Sequence, residues 1–143
     1  MSISTQPKMW YWIVSIIFLL WNIIGVGALA AEFADPAMIT ADFTPEQLEI
    51  YNNRPWWYLP NFGIAVVTGT LACVMLFFKN KLAVPLALIC LIAITISTAY
   101  EVFFSGSWET LDMAGKGFAL FILLMDVLLI LFARMAAKRG WIR

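Results

Sequence analysis

Four apolar stretches divide this chain, each close to the roughly 20 residues a helix needs to cross the hydrocarbon core of a bilayer. They run from about Met9 to Ala31, Trp57 to Phe78, Leu82 to Phe104 and Gly117 to Ala137. The pattern predicts an all-α integral membrane protein, a four-helix transmembrane bundle forming one membrane domain over residues 1–143. Composition agrees: 63% of residues are hydrophobic and 13% charged, against about 25% charged in a soluble domain. A chain of 143 residues has too little interior to hide that much apolar surface, so lipid is expected to cover the rest. Ala28-Leu29-Ala30 has the look of a signal-peptidase site. The apolar run before it, however, exceeds the usual h-region of about 7–15 residues and carries Trp10, Trp12, Trp21 and Asn22, which favours a retained helix.

Charge placement orients the bundle. Lys8, Lys79, Lys81, Arg134, Lys138, Arg139 and Arg143 fall on one side of the predicted spans, and Arg54 and Lys116 on the other. Cations in short loops stay in the cytoplasm, so both termini and the Lys79-Asn80-Lys81 turn are expected there. Trp10, Trp12, Trp56, Trp57, Trp108 and Trp141 lie near the span ends, where amphipathic rings favour the headgroup zone. Arg134, Lys138, Arg139 and Arg143 read as a stop-transfer tail meeting anionic lipid.

The first outer loop, residues 32–56, carries its own helix signal. Thr44-Pro45-Glu46-Gln47 places a hydroxyl at the N-cap, proline at the first helical position and glutamine at the third, which is a capping box. Phe43 and Leu48 occupy the positions of a hydrophobic staple. A short extracytoplasmic helix from Pro45 to about Asn53 is expected between spans one and two, ended by Pro55.

Within the spans, small and polar residues recur at helical spacing: Ser15, Phe18, Asn22, Gly25, Ala28 and Glu32, then Asn61, Ala65, Thr68 and Ala72, then Ala83, Ala87, Cys90, Ile94, Ser97 and Glu101. Such stripes face other helices. Asp126, between Ala119 and Ala133, lies near the middle of the fourth span, where a carboxylate costs about 2.5–3.5 kcal/mol on insertion scales. Asn22 and Thr68 reach similar depth, so the expected arrangement is a largely neutral Asp126 hydrogen-bonded to Asn22. Glu101 stands about 12 Å higher, near Asn61, and either pairs with Arg54 or faces water. The track Asp126, Asn22, Thr68, Glu101, Asn61 reads either as a structural polar knot or as a half-open pocket for a proton, cation or polar solute.

Other chemistry has no visible machinery. The chain has no histidine, which removes the commonest metal ligand and general base. Cys73 and Cys90 fall inside apolar runs and are expected to behave as small hydrophobes, with neither disulfide, metal nor cofactor. No enzymatic role and no nucleic-acid partner are expected. The expected partners are the lipid bilayer and other membrane proteins or further copies of this chain.

Pro7-Lys8 leading into Trp10-Tyr11-Trp12, Leu20-Trp21-Asn22-x-x-Gly25, Arg54-Pro55-Trp56, Ile64-Ala65-Val66-x-x-Gly69 and Lys138-Arg139-Gly140-Trp141-Ile142 together resemble a family of small bacterial four-span membrane proteins often labelled "sugar transporter". The likeness covers essentially the whole chain and implies a bacterial inner (plasma) membrane. It does not extend to Asp126. Two functional readings follow: an accessory or scaffolding component of a membrane assembly, or a small-solute or proton-coupled transporter using Asp126, Asn22 and Glu101.

Overall fold

The computed structural model describes residues 6–143. Its helices are α1 (Met9–Ala34), α2 (Pro36–Thr40), α3 (Pro45–Asn52), α4 (Tyr58–Phe77), α5 (Ala83–Phe103), α6 (Ser107–Thr110) and α7 (Met113–Lys138). Four of them, α1, α4, α5 and α7, are long and apolar enough to cross a membrane. In hydrocarbon no water is present to bond the backbone, so a helix that closes its own hydrogen bonds is the viable form for each. Only 17% to 33% of each apolar window is buried inside the molecule. The rest, such as Ile13, Ile16, Ile17, Leu20 and Ile24 along α1, is exposed and suited to lipid. The chain is a multi-pass membrane protein with an all-α bundle.

The helix ends have local causes. Helix α7 begins at Met113 because Asp112 caps it, its side chain accepting from the Gly115 N–H at 2.7 Å. Helix α1 continues to Ala34, so Glu32 belongs to the helix and not to the loop. The capping box of α3 forms: Gln47 N–H donates to Thr44 Oγ1 at 3.2 Å, and Thr44 N–H to Gln47 Oε1 at 3.0 Å. Helices α2 and α6 are too short to leave a periodic signal and were not expected.

Packing runs in order around the bundle, α1 on α4, α4 on α5, and α5 on α7. The small residues of the stripes allow this, since Ala65, Ala72, Ala83, Ala87, Cys90 and Ser97 are all buried and let backbones approach closely. The seam between α1 and α7 is built differently. There, large rings hold the helices: Trp10, Tyr11 and Phe18 on Phe132, and Trp21 on Phe118 and Phe121, with centroids 5.2–6.1 Å apart.

One end of the bundle is sealed. Tyr11, Leu76, Leu129 and Ile142 are fully buried there, and the Tyr11 hydroxyl donates to the Leu76 carbonyl at 2.6 Å. That carbonyl lies in the last turn of α4, where helix geometry leaves carbonyls without intrahelical partners. After α7 the chain turns back through Gly140, whose φ of 71° is left-handed. Trp141 N–H then reaches Ala136 O at 2.9 Å and Gly140 N–H reaches Ala137 O at 3.1 Å, a Schellman ending. Arg143 N–H donates to Lys79 O, and Lys81 N–H to Arg143 O, at 2.8 and 3.0 Å. The tail is thereby a latch across the α4–α5 turn.

Trp141 is set differently from the other tryptophans near the span ends. It is 4% exposed and packed on Tyr11 and Trp10, because Gly140 directs the chain inward. Trp56, by contrast, is 86% exposed and Trp10 39%, while Trp12, Trp57 and Trp108 are half-buried. Ile142→Ala should lower stability by about 2–4 kcal/mol, the cost of truncating a core aliphatic residue. Ile13→Ala, on the exposed face of α1, should change it little. Thermal unfolding of both variants in detergent micelles checks the contrast.

Candidate functional site

The half of the bundle away from the latch is hollow. Its two cavities lie on the same faces of α1, α4 and α5, one above the other. Ala28 lines the deeper cavity and Glu32, one turn on, the outer one; Phe62 and Tyr58, and Ile94 and Glu101, are related in the same way by one or two turns.

The deeper cavity, about 150 Å³, has α4 and α5 as its back wall (Phe62, Ala65, Val66, Cys90, Ile94). Its sides are Trp21, Asn22 and Gly25 of α1 and Phe118, Ile122 and Asp126 of α7. Asp126 and Asn22, foreseen together, both reach it and are 5% and 7% exposed. They are not bonded to each other. Asn22 Nδ2 donates to the Phe18 carbonyl at 2.8 Å and to Cys73 Sγ at 3.4 Å. Asp126 Oδ1 accepts from the Cys90 thiol at 3.7 Å.

The reason is Gly69. A Cβ at that position would overlap the Asn22 amide oxygen and come within 3.0 Å of Cys90 Sγ. The missing side chain draws the Asn22 amide toward α4 and away from α7. Cys90, from α5, takes the place beside Asp126 that the sequence reading gave to Asn22. The cysteines are therefore more than apolar filler: Cys73 meets Asn22, and Cys90 meets Asp126 and Thr68. The position of Cys90 within the α5 stripe was the signal for this.

Thr68, expected at the same level, turns its hydroxyl back onto its own helix, to Ile64 O at 2.6 Å and Ala65 O at 3.3 Å. Such back-bonding is the common alternative for a threonine within a helix. Asn61 stands between the two cavities and clamps α4 to α5, donating to Ala93 O at 2.8 Å and Ser97 Oγ at 2.7 Å.

The outer cavity, about 260 Å³, is a cup lined by Glu32, Tyr51, Arg54, Tyr58, Tyr100 and Glu101 with apolar Ile39, Phe43, Ile50 and Leu111. Arg54 does not pair with Glu101. It forks onto Glu32 through Nη1 and Nη2 at 3.2 and 3.1 Å, and Tyr51 donates to the same carboxylate at 2.6 Å. Glu101 accepts from the Tyr58 hydroxyl. The guanidinium also lies over the Tyr51 ring at 3.9 Å, a cation–π contact that rewards a planar cation. Burial on its own would lower the basicity of Arg54, but the Glu32 carboxylate outweighs it and holds the guanidinium above its ordinary value. Burial, and then the bond to Glu32, raise the Tyr51 hydroxyl above its usual 10.0.

Helices α3 and α6 roof the cup, joined by Gln47 Nε2 donating to Thr110 O at 3.1 Å. Gln47 thus caps its own helix and ties two elements at once. Of the sequence-predicted residues, Asp126 and Asn22 share the deeper cavity, Glu101 lines the outer one, and Asn61 and Thr68 line neither. The partners missed were Glu32, Tyr51 and Tyr58. Glu32 stood at the end of the α1 stripe, and nothing in spacing tells which cation it meets.

Gly69→Ala should cost about 1–3 kcal/mol, as overpacking does. In the Asn22→Ala background the same change should cost clearly less, a coupling expected for residues in contact. Gly25→Ala, whose Cβ would meet Val66 at an ordinary 3.6 Å, should be tolerated; thermal unfolding in detergent reads all four variants. Arg54→Gln, which removes charged bonds worth about 1.5–3 kcal/mol each in favourable settings, should raise amide hydrogen exchange across α3 and leave α5 unchanged.

No protein-family model matches this sequence, no curated protein is detectably similar to it, and no solved structure matches the fold.

Proposed function

We propose that this chain is an accessory, ligand-binding component of a bacterial inner membrane, which receives its ligand in the outer half of the bundle and forms no conduit of its own. The observation that carries this reading is the contrast between the two halves. A cavity reaches a buried carboxyl from one side, while the other side is closed by Tyr11, Leu76, Phe132, Ala133, Ile142 and Trp141. A transporter needs a second opening, and among the described residues the closed end has the Tyr11 hydroxyl, Ser15 and Cys73 as its buried polar groups, each already bonded.

The cytoplasmic placement of both termini rests on charge. Lys8, Lys79, Lys81, Lys138, Arg139 and Arg143 gather at the latched end, where the backbone bonds between Lys79, Lys81 and Arg143 join tail to turn. Glu46, Glu49 and Glu109 lie in or beside the roof at the other end. That asymmetry follows the rule that cations in short loops remain inside. The cup then faces outward, with two carboxylates and one guanidinium among tyrosine rings. The exposed apolar faces are suited to lipid or to a neighbouring membrane protein.

Proteoliposomes containing only this chain should show no proton or solute flux above protein-free vesicles, while a water-soluble maleimide should modify Ile39→Cys at the cup from the outer face alone. An Asp126-dependent flux would favour the transporter reading instead and remove this one. Modification of Ile39→Cys from the inner face would reverse the orientation.

A further inference from the structure

The deeper cavity holds hydrogen-bond acceptors without matching donors. Asp126 is 5% exposed, yet its one bond comes from the Cys90 thiol at 3.7 Å, a weak donor at long range. Its other oxygen has no partner among the described residues. Asn22 has given its amide hydrogens to Phe18 O and Cys73 Sγ, and its oxygen, set against Gly69, accepts none. Both side chains line the cavity, Asp126 with a carboxyl oxygen that no described residue satisfies. A carboxyl at mid-membrane without a strong donor is costly. What enters this cavity must bring donors.

The walls state the rest of the ligand. Apart from Asn22, Cys90, Asp126 and the indole of Trp21, the lining is aliphatic, phenyl or glycine. The cavity lies between α1 and α7, two spans held to each other by side-chain rings in place of close backbone packing. Its rim residues Ile24 and Phe118 are 66% and 57% exposed, and both sit within apolar windows suited to lipid. Ala28 beside them is small and exposed, so the seam is open where the rings of Trp21, Phe118 and Phe121 end.

Building on the binding role given above, we propose that this pocket takes the head of a long-chain amphiphile that donates hydrogen bonds, an amine or a hydroxyl, entering sideways from the bilayer between α1 and α7. The head meets Asp126 and Asn22, and the chain leaves past Ile24 and Phe118 into lipid. With Asp126 ionised opposite such a donor, a head that only accepts, such as a carboxylate, is repelled by the same oxygens.

The test uses the full chain in lipid nanodiscs with three photoreactive probes of equal length: diazirine-bearing hexadecylamine, hexadecanol and hexadecanoate. Mass spectrometry should place amine and alcohol adducts on Trp21, Ile24, Phe118 or Ile122 over the lipid-facing Ile13 and Leu131 by about ten-fold, the worth of one hydrogen bond to a charged group. Hexadecanoate should show no such preference. Asp126→Asn should abolish the preference for the amine over the alcohol, and Ala28→Phe, at an exposed rim position, should reduce both adducts several-fold. Even labelling along all lipid-facing residues, equal labelling by hexadecanoate, or indifference to both variants overturns the proposal.

A second measurement separates this idea from the binding role on which it rests. Methylthiolation of Cys90 by methyl methanethiosulfonate, which forms the Cys90 methyl disulfide and releases methanesulfinate, should be slowed by hexadecylamine, with Cys90 resolved from Cys73 by peptide mass. Slowing by water-borne ethanolamine but not by hexadecylamine keeps the pocket as a solute site and removes the lateral amphiphile. Slowing by neither removes both.

Discussion

Where a side chain is missing at Gly69, the amide of Asn22 has been admitted, and much of the bundle's interior is arranged around that substitution of one group for another. Any larger residue there would collide with the Asn22 amide and crowd the Cys90 sulfur, so one or both would have to move. Instead the amide is held by Phe18 and Cys73. Asp126 is left with a thiol, and the space between α1 and α7 is left unfilled. A polar group and a void are thus produced by one close approach. Membrane helices have no strong hydrophobic force between them, so contacts of this kind decide how they sit.

The two ends of the bundle follow from residue size. At the latched end, Tyr11, Phe18, Phe132 and Trp141 stack into the α1–α7 seam and exclude everything else. Toward the other end the same seam is bordered by Gly25 and Ala28, and rings give way to space. Above that space the chain changes its means of cohesion. The cup is held by Arg54, Glu32 and Tyr51, by Tyr58 with Glu101, and by Gln47 with Thr110. Ionic and hydroxyl contacts serve there because the roof helices are short and bury no residue fully.

Much of this architecture was legible in the residues. Length and hydropathy gave the four spans, and the period of the small residues gave their buried faces, because helix geometry repeats regardless of partners. The capping box of α3 is local and was read from four consecutive residues. The resemblance motifs also fall into two spatial groups. Trp10, Tyr11, Trp141 and Ile142 form the latched end, while Trp21, Asn22, Gly25, Ala65, Val66 and Gly69 form the deeper cavity and its support. What was not legible was pairing. Asn22 and Asp126 lie at one depth, but depth leaves rotation about each helix axis free, and Gly69 decided it. Arg54 chose Glu32 over Glu101 for the same kind of reason, through a loop whose path no periodicity reports. The inward turn of Trp141 depended on the left-handed Gly140, a single backbone angle.

The latch has a bearing on how the molecule is made. Tyr11 enters the membrane with the first span, but the surfaces that enclose its ring, Phe132 and Trp141, belong to the last span and to the residues after it. Spans made early must wait in lipid with that face uncovered, and contacts between distant parts of a chain form late. The latched end can therefore close only once the last span and the residues after it have been made, so its fastening is a late event set by the order of the chain.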